Sequence, residues 1–365
     1  MEYRYVNWIV RLREDSKPKT LVLELTTSCN YSCLHCFRFA ARDFKVEFMD
    51  EELYHRILSE AKTIGVRRLV YTGWGEPTVH PRFLEFMKVA KKLGFEIVLN
   101  TNGFRLEELG EDLVNLSVDE VYVSIDAFDI KLYSFIRRFG DLPTVTRGLL
   151  ALRNVKSRRL SLKPIVKAIL TITKVNVGEI CKIPEYAMNT GITEVILSGY
   201  IPYVGGDLKL DCLGDDSCKR RFMKELSKLS LKVLESNIKI VRPFLDPSWT
   251  RSCPFASNKA LFIRADGLIT PCIYYSRSWV TVVRGIKRRI EEVILGDIRR
   301  DKLIEVWRKY SKILLNLDFN NIPSCFNCEL QAYCYNTMSN EYDCLGNTPS
   351  CSHCPYLHMF SYCPI

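Results

Sequence analysis

Short apolar runs alternate with amphipathic helical patterns from Thr20 to about residue 202. The runs Leu21–Leu25, Arg68–Tyr71, Glu96–Asn100, Glu120–Ile125, Ala168–Thr173 and Glu194–Leu197 are rich in Val, Ile and Leu, as strands buried on both faces are. Between them apolar residues recur at helical spacing, as over Glu51–Ile64, which Asp50 can cap, and over Arg82–Leu93. Gly65, Gly94 and Gly191 each stand where a helical pattern stops and a strand begins, the place for a left-handed residue that ends a helix. Six such β-α repeats predict an α/β fold with a parallel sheet, open or curled into a partial barrel. A basic helical stretch follows over Ser217–Ser236. Past Pro243 the pattern breaks down: one helix is predicted at Asp301–Leu314, and residues 320–365 show little periodicity. The division expected is an N-terminal extension over 1–19, a β-α core over 20–240 and a second domain over 241–365.

Composition adds less than the pattern until the cysteines are counted. With 47% apolar and 26% charged residues the chain is an ordinary globular one. Its 52 basic and 42 acidic side chains leave a net charge of +10, scattered along the chain rather than gathered in a tail. No apolar run approaches the roughly 18 residues of a spanning helix. The first 19 residues carry charge where a signal peptide has its apolar stretch, so a cytoplasmic protein with no membrane partner is expected. Against that background, 15 cysteines in 365 residues point to metal. Cys29, Cys33 and Cys36 follow the first strand; nine more are Cys253, Cys272, Cys325, Cys328, Cys334, Cys344, Cys351, Cys354 and Cys363. Residues 320–365 hold seven of these nine and bury too little apolar surface to fold unaided, so metal is expected in their core.

The first group reads Cys29-Asn-Tyr-Ser-Cys33-Leu-His-Cys36. Three thiolates this close can hold three irons of a [4Fe–4S] cluster and leave the fourth iron open. A zinc site completed by His35 is the alternative, weakened because the adjacent His35 and Cys36 would have to ligate one ion. Parallel barrels carry their sites at the C-terminal ends of strands. There stand Gly73-Trp74-Gly75-Glu76-Pro77, Thr101-Asn102-Gly103, Ser124-Ile125-Asp126, Thr173-Lys174-Val175-Asn176 and Leu197-Ser198-Gly199-Tyr200. Taken alone, Thr101–Gly103 is a turn and Asp126 a helix cap. Other residues take bland readings: Cys181 as a small buried hydrophobe, Cys212 and Cys218 as a surface pair, and His55 and His80 as structural or exposed. Arg137-Arg138 and Arg220-Arg221 read as solvated faces. No RNA-binding module is visible, so no nucleic-acid partner is expected.

Together, the Cys-x3-Cys-x2-Cys motif and the motifs at the later strand ends resemble those of the radical S-adenosylmethionine (SAM) enzymes, whose core is a partial (β/α)6 TIM barrel. The resemblance implies that Cys29, Cys33 and Cys36 hold a catalytic [4Fe–4S] cluster whose open iron chelates SAM. Reductive cleavage then yields a 5′-deoxyadenosyl radical that takes hydrogen from substrate. It also implies SAM contacts from His35 near the adenine, from Gly73, Trp74, Gly75, Glu76 and Pro77 at the ammonium, and from Ser124 and Asp126 at the ribose or carboxylate. Asn176 and the backbone at Leu197 complete that set, and no general base is assigned.

Farther on, Cys253-x13-Gly267-x4-Cys272 and Cys325-x2-Cys328-x5-Cys334 resemble the SPASM extension, which carries two auxiliary [4Fe–4S] clusters on eight ligands. Met338 stands where that pattern has a further cysteine, so the pairing past Cys334 is open, with zinc as the alternative for this domain. Gly73–Pro77, with Asp343–Asn347 through Cys363-Pro364, is similar to maturases associated with tungsten-containing aldehyde oxidoreductases. That likeness implies an enzyme acting on a tungstopterin-type cofactor or on a partner peptide or protein, with a low-potential donor such as a ferredoxin. The alternatives are a ribosomal-peptide maturase forming thioether or carbon–carbon links, and a molybdopterin-precursor synthase, whose family ends in Gly-Gly where this chain reads Cys363-Pro364-Ile365. A non-catalytic iron–sulfur electron carrier would leave Gly73–Pro77 and the Ser124/Asp126 pair unexplained.

Overall fold

A computed structural model describes residues 2–11, 17–41, 44–234, 236–246, 253–318 and 323–365. An N-terminal hairpin pairs β1 (Glu2–Tyr5) with β2 (Trp8–Arg11). The alternation then runs β3 (Thr20–Leu23), α1 (Glu51–Ile64), β4 (Arg68–Tyr71), α2 (Phe83–Lys92), β5 (Glu96–Thr101) and α3 (Leu106–Asn115). It continues through β6 (Glu120–Ser124), α4 (Ile130–Ile136), α5 (Leu142–Arg158), β7 (Ile165–Ile172), α6 (Ile183–Thr190), β8 (Glu194–Gly199), α7 (Asp216–Leu234) and β9 (Lys239–Val241). Strands β3 to β9 lie side by side in sequence order, all parallel. Leu21, Val22, Leu23, Leu69, Val70 and Tyr71 are fully buried, as the unbroken apolar runs require. The Asp50 carboxylate accepts the Leu53 N–H at 2.7 Å to start α1, and Gly65 at φ 82° ends it. β7 begins earlier than its apolar run because Lys167 is held inside the sheet by Glu120, 2.7 Å away, and by the Tyr122 hydroxyl at 3.0 Å.

The chain past residue 240 joins this sheet. Beyond α8 (Pro254–Ser257), β10 (Ala260–Ile263) pairs in parallel with β3. β11 (Leu268–Thr270) and β14 (Gly296–Asp297) extend that edge antiparallel, on either side in sequence of a hairpin of β12 (Trp279–Val283) and β13 (Ile286–Ile290). The resulting order is β14-β11-β10-β3-β4-β5-β6-β7-β8-β9, an open sheet of ten strands. Its curl is evident because one cavity is lined from the loop after β3 and from the ends of β4 through β8. Helix α9 (Leu303–Asp318) follows, and residues 323–365 form short turns, among them Gln331–Tyr333 and Tyr335–Thr337. Among the described residues no helix is long and apolar enough to cross a membrane.

Several bland readings are corrected by the packing. Cys212 and Cys218 are buried and joined by a disulfide, where a surface pair was expected. Cys181 is only half-buried in the turn Val177–Lys182, with its Sγ 3.1 Å from Glu225 Oε2. His80 is buried with its Nε2 2.9 Å from the Met49 carbonyl, and His55 is exposed. Arg220 and Arg221 are exposed as expected.

The later chain closes the mouth of the curled sheet from two directions. β12 meets the loop after β8, where the Val204 N–H donates to the Val280 carbonyl at 2.9 Å and the Val282 N–H to the Pro202 carbonyl at 2.9 Å. The segment 360–364 crosses from β8 to β5: the Gly199 N–H donates to Phe360 O at 2.8 Å, and Asn100 Nδ2 donates to Pro364 O at 3.1 Å. Between them Tyr362 stacks on Tyr122 of β6. A Cβ at Gly199 would lie 2.4 Å from Phe360 O, which backbone on both sides prevents from relaxing. Gly199→Ala is therefore expected to destabilise the protein by about 1–3 kcal/mol. Thermal unfolding checks this, and an unchanged Tm would mean that the segment does not pack on β8.

Candidate active site

Cys29, Cys33 and Cys36 lie on one wall of the cavity at the strand ends, which encloses about 1180 Å³ including its open mouth. Their loop is fixed from both sides. The Ser32 N–H donates to Arg138 O at 3.0 Å and the Leu34 N–H to Ile136 O at 2.9 Å, while the Glu76 N–H donates to Ser28 O at 2.8 Å. Gly75 sits so close that a Cβ there would be 2.3 Å from Thr26 O, so the turn after β4 and the thiol loop are one packed unit. Burial pushes the thiols up, Cys33 to about 12 and Cys36 to about 11, and Cys29 in the same direction. Thiolates here need a cation, as metal would provide.

Glu76 is buried on the same wall. Its Oε1 accepts from the hydroxyls of Thr78 and Thr101 at 2.7 Å each, and its Oε2 accepts the Asn102 N–H at 2.7 Å. Burial raises the carboxyl, and the hydrogen bonds from Thr78, Asn102 and Thr101 oppose the rise. Thr101-Asn102-Gly103 is thus more than a turn: it holds the carboxylate in place. Glu24, at the end of the first apolar run, holds the neighbouring turn, accepting the Trp74 N–H at 2.8 Å and pairing with Arg277 at 2.7 Å.

Of the residues expected at SAM, His35, Gly73, Trp74, Gly75, Glu76 and Ser124 share the cavity wall with the three thiols. Pro77, Asp126, Asn176 and Leu197 do not, and each has another task. Pro77 opens a short buried turn, and Leu197 is core while Ser198 and Gly199 face the cavity. Asn176 is fully committed: Oδ1 accepts from Thr173 N at 2.7 Å and Oγ1 at 2.9 Å, and Nδ2 donates to Asp126 O and Thr171 O at 2.8 Å each. The Asp126 carboxylate is fully buried, takes the Thr171 N–H at 2.7 Å and lies 2.6 Å from Arg137 Nε and 3.4 Å from His35 Nε2.

Arg137 is the largest departure from expectation. The sequence places it on a solvated face with Arg138; Arg138 is exposed, but Arg137 is buried and reaches the cavity wall 3.9 Å from Cys33 Sγ. Burial works against its charge, and Asp126 and Cys33 overcome that, so its pKa is raised. Nothing local in the sequence marked it out: Arg137 stands just past α4, and its partner Asp126 lies before that helix, just after β6. Burial lowers the pKa of His35 against the pull of Asp126, which keeps the ring neutral.

The nine later cysteines fall into two environments. In the inner one, burial pushes up the Cys272 thiol, followed by the effect of Cys354, Cys253 and Cys351, while Cys363 responds to burial and then to Cys253, Cys272 and Cys354. Cys253, Cys272, Cys351, Cys354 and Cys363 are thus near enough to act on one another's ionisation. Ile273, Tyr356, Tyr362 and Pro364, close in sequence to these cysteines, line the catalytic cavity. In the outer environment, burial raises the Cys325 thiol, with Cys328 and Cys344 among its neighbours. Cys334 joins them through consecutive turns, Gln331 N–H to Cys328 O at 3.2 Å and Cys334 N–H to Gln331 O at 3.4 Å. Met338 is 44% exposed and stands apart from the buried inner site.

This chemistry fits the groups that the sequence implies. Three thiols on an open wall leave one coordination position of a four-iron cluster free. A carboxylate, Glu76, and a guanidinium, Arg137, lining the same cavity match the ammonium and carboxylate of an amino acid. Thiols such as the later cysteines suit iron–sulfur clusters or zinc.

Comparison with known proteins agrees. Residues 23–187 match the radical SAM superfamily, and residues 253–329 match SPASM, an iron-sulfur cluster-binding domain. The chain is 28% identical over 353 residues to the tungsten-containing aldehyde ferredoxin oxidoreductase cofactor-modifying protein of Pyrococcus furiosus, covering 95% of this chain and 97% of that protein. It is 26% identical over 283 residues to a probable GTP 3′,8-cyclase of Methanocaldococcus jannaschii, covering 74% and 90%. Its fold is similar to that of SuiB of Streptococcus suis bound to S-adenosylmethionine, with a TM-score of 0.62, 19% identity and coverage of 87% and 72%. It is similar also to anSMEcpe with bound AdoMet, with a TM-score of 0.64, 16% identity and coverage of 94% and 92%.

The Arg137–Asp126 pair makes a direct prediction for the protein without metal. Arg137→Met leaves the fully buried Asp126 charge without its partner and is expected to cost about 3–5 kcal/mol. Adding Asp126→Asn removes that charge and should restore much of the loss. Guanidinium denaturation of both variants measures it; a double variant no more stable than the single one would refute the pairing.

Proposed function

We propose, for a chain that belongs to the radical SAM enzymes and carries a SPASM domain, that it modifies the cofactor of a tungstoenzyme or a small partner peptide of that enzyme. Bound by Cys29, Cys33 and Cys36, a [4Fe–4S] cluster would supply the electron for splitting SAM into methionine and a 5′-deoxyadenosyl radical able to take hydrogen from substrate. The chain's own residues bind, orient and shield. Cys29, Cys33 and Cys36 hold the catalytic cluster, Glu76 receives the ammonium of SAM, and the Arg137 guanidinium receives its carboxylate. Ser124 and His35 face the remaining parts of the ligand, and Asp126 and Asn176 act behind them, fixing Arg137 and the ends of β6 and β7. Cys325, Cys328, Cys334 and Cys344 hold an outer auxiliary cluster, and Cys253, Cys272, Cys351, Cys354 and Cys363 supply the ligands of an inner one. Tyr356, Tyr362 and Pro364 separate the inner thiols from the cavity and exclude water there.

The observation that carries this reading is the single cavity shared by three thiols, Glu76 and Arg137. The choice of substrate is supported by the likeness to the Pyrococcus furiosus protein, which runs nearly end to end in both chains. Reconstituted protein is expected to hold about 12 iron atoms per chain, and Cys29, Cys33 and Cys36 changed together to Ala should remove about four of them. With SAM and dithionite under anaerobic conditions the wild type should release 5′-deoxyadenosine and the triple variant none. Cys325→Ala with Cys328→Ala should keep some uncoupled SAM cleavage but form no product. Mass spectrometry of a tungstopterin-loaded oxidoreductase, or of a peptide encoded beside the gene, then identifies the substrate. Zinc in place of iron, or cleavage by the triple variant, would sink the proposal.

A further inference from the structure

Strand β13 buries a charge that the fold does not answer with a carboxylate. Its alternation turns Lys287 and Arg289 to solvent and Arg288 inward, where Arg288 is 1% exposed. Two other arginines are buried nearly as fully, and each has a carboxylate: Arg137 has Asp126 at 2.6 Å and Arg277 has Glu24 at 2.7 Å. Arg288 has only carbonyls. Its Nη2 donates to Ser339 O at 3.2 Å and to Ser350 O at 3.4 Å, while Nε and Nη1 have no hydrogen-bond partner among the described residues. The acidic side chains of this region are engaged elsewhere. Glu291 faces Arg289 at 3.9 Å, Glu292 pairs with Arg264 at 2.9 Å, and Glu341 accepts the Ser339 hydroxyl at 2.9 Å. Asp343 accepts the Leu345 N–H at 2.8 Å and the Asn347 amide at 3.1 Å. Two carbonyl bonds do not offset the loss of water around a guanidinium, so a buried cation of this kind calls for an anion.

The anions within its reach are thiolates. Ser339 lies between Cys334 and Cys344 of the outer site, and Ser350 precedes Cys351 of the inner one. The Tyr275 hydroxyl donates to the same Ser350 carbonyl at 2.6 Å and stands 3.3 Å from Cys351 Sγ. Burial raises the thiols of Cys325, Cys351 and Cys354, and the Arg288 guanidinium is among the groups that oppose the rise in all three. One side chain thus faces both cysteine environments. The rings that share this interior do not answer its charge. Burial keeps the Tyr274 and Tyr275 phenols protonated, and burial with the guanidinium pushes His353 down to about 3.

We propose that Arg288 is the shared counter-ion of the inner and outer iron–sulfur sites and raises the reduction potential of both. The inference rests on reading the later cysteines as cluster ligands. Reduction adds one negative charge to a site that its thiolates already make negative, and a fixed cation in a dry interior favours that change. The bonds to Ser339 and Ser350 fix where the charge lies, and the free Nε–H and Nη1–H remain as donors to sulfur.

The test uses the full-length chain with Cys29, Cys33 and Cys36 changed to Ala, so that only the later cysteines hold iron. Redox titration followed by electron paramagnetic resonance reads both midpoint potentials in this parent and in its Arg288→Met and Arg288→Lys forms. Arg288→Met should lower the equilibrium constant for one-electron reduction about tenfold at both sites, a shift of about 59 mV to more negative potential. Arg288→Lys keeps the charge and should stay much closer to the parent. A role confined to the two carbonyl bonds would leave the potentials in place. No shift in Arg288→Met, an equal shift in Arg288→Lys, or a shift at one site alone would each overturn the inference. If Arg288→Met holds less iron than the parent, the iron content of Arg288→Lys decides: full iron supports the need for a charge, and an equal loss refutes it. Zinc in place of iron in the parent would refute the cluster reading and the inference with it, whereas iron present with unmoved potentials refutes the inference alone.

Discussion

A buried carboxylate, Glu24, is the joint on which the site depends. It is fully buried, its oxygens lie 2.7 and 3.2 Å from the Arg277 guanidinium, and it accepts the Trp74 N–H at 2.8 Å. Taking both charges out of water is costly, and the pair persists only because hydrogen bonds complete the geometry. Three segments far apart in sequence meet there: the end of β3, the turn after β4 and the chain just before β12. A Cβ at Gly73 would lie 2.7 Å from Glu24 Cγ, so the turn can approach only as glycine. Trp74 Nε1 then donates to Ser276 Oγ at 2.8 Å, and the Arg277 guanidinium covers the Trp74 and Phe44 rings. The SPASM region is thereby built into the active site, because removing it would take Arg277 and the Ala265 N–H away from the Glu24 carboxylate.

This arrangement explains which features could be read along the chain. The strands were legible because burial on both faces imposes unbroken apolar runs, and the thiols because their spacing is set by the cluster they would hold. Glu24 carried a local signal, a carboxylate in the run Leu21–Leu25, but its partner lies 253 residues away. Arg137 carried none, since an Arg-Arg pair reads the same whether one side chain is buried or neither is. Asp126 and Asn176 sit at the expected strand ends yet face inward, because a buried guanidinium at the cavity wall needs a carboxylate behind it. Sequence position located the layer of the site; which residues line the cavity depends also on a charge from outside that layer, Arg137 at the end of α4.

The closing segment 360–364 couples the two cysteine-bearing regions. It carries Cys363 on its inner side and Tyr362 and Pro364 on the cavity side, with Asn100 and Gly199 as its supports on the sheet. Cys363 and the cavity wall at Tyr362 and Pro364 are therefore positioned by one short segment. The cavity is thus shaped by the chain around the later cysteines as well as by the barrel.

The protonation of the thiols gives that coupling a direction. Burial raises the thiols of Cys33, Cys36 and Cys354, so the metal-free fold keeps them protonated at pH values where an unfolded chain would ionise. The folded state then binds more protons than the unfolded one above the ordinary thiol range, so this contribution to stability is complete at lower pH and is lost as pH rises toward about 12. Cluster assembly reverses the preference, since each ligand must release its proton to bind iron. The dry interior that disfavours bare thiolates therefore favours a cation that neutralises them, and the same burial that makes the empty sites inert holds the clusters once formed.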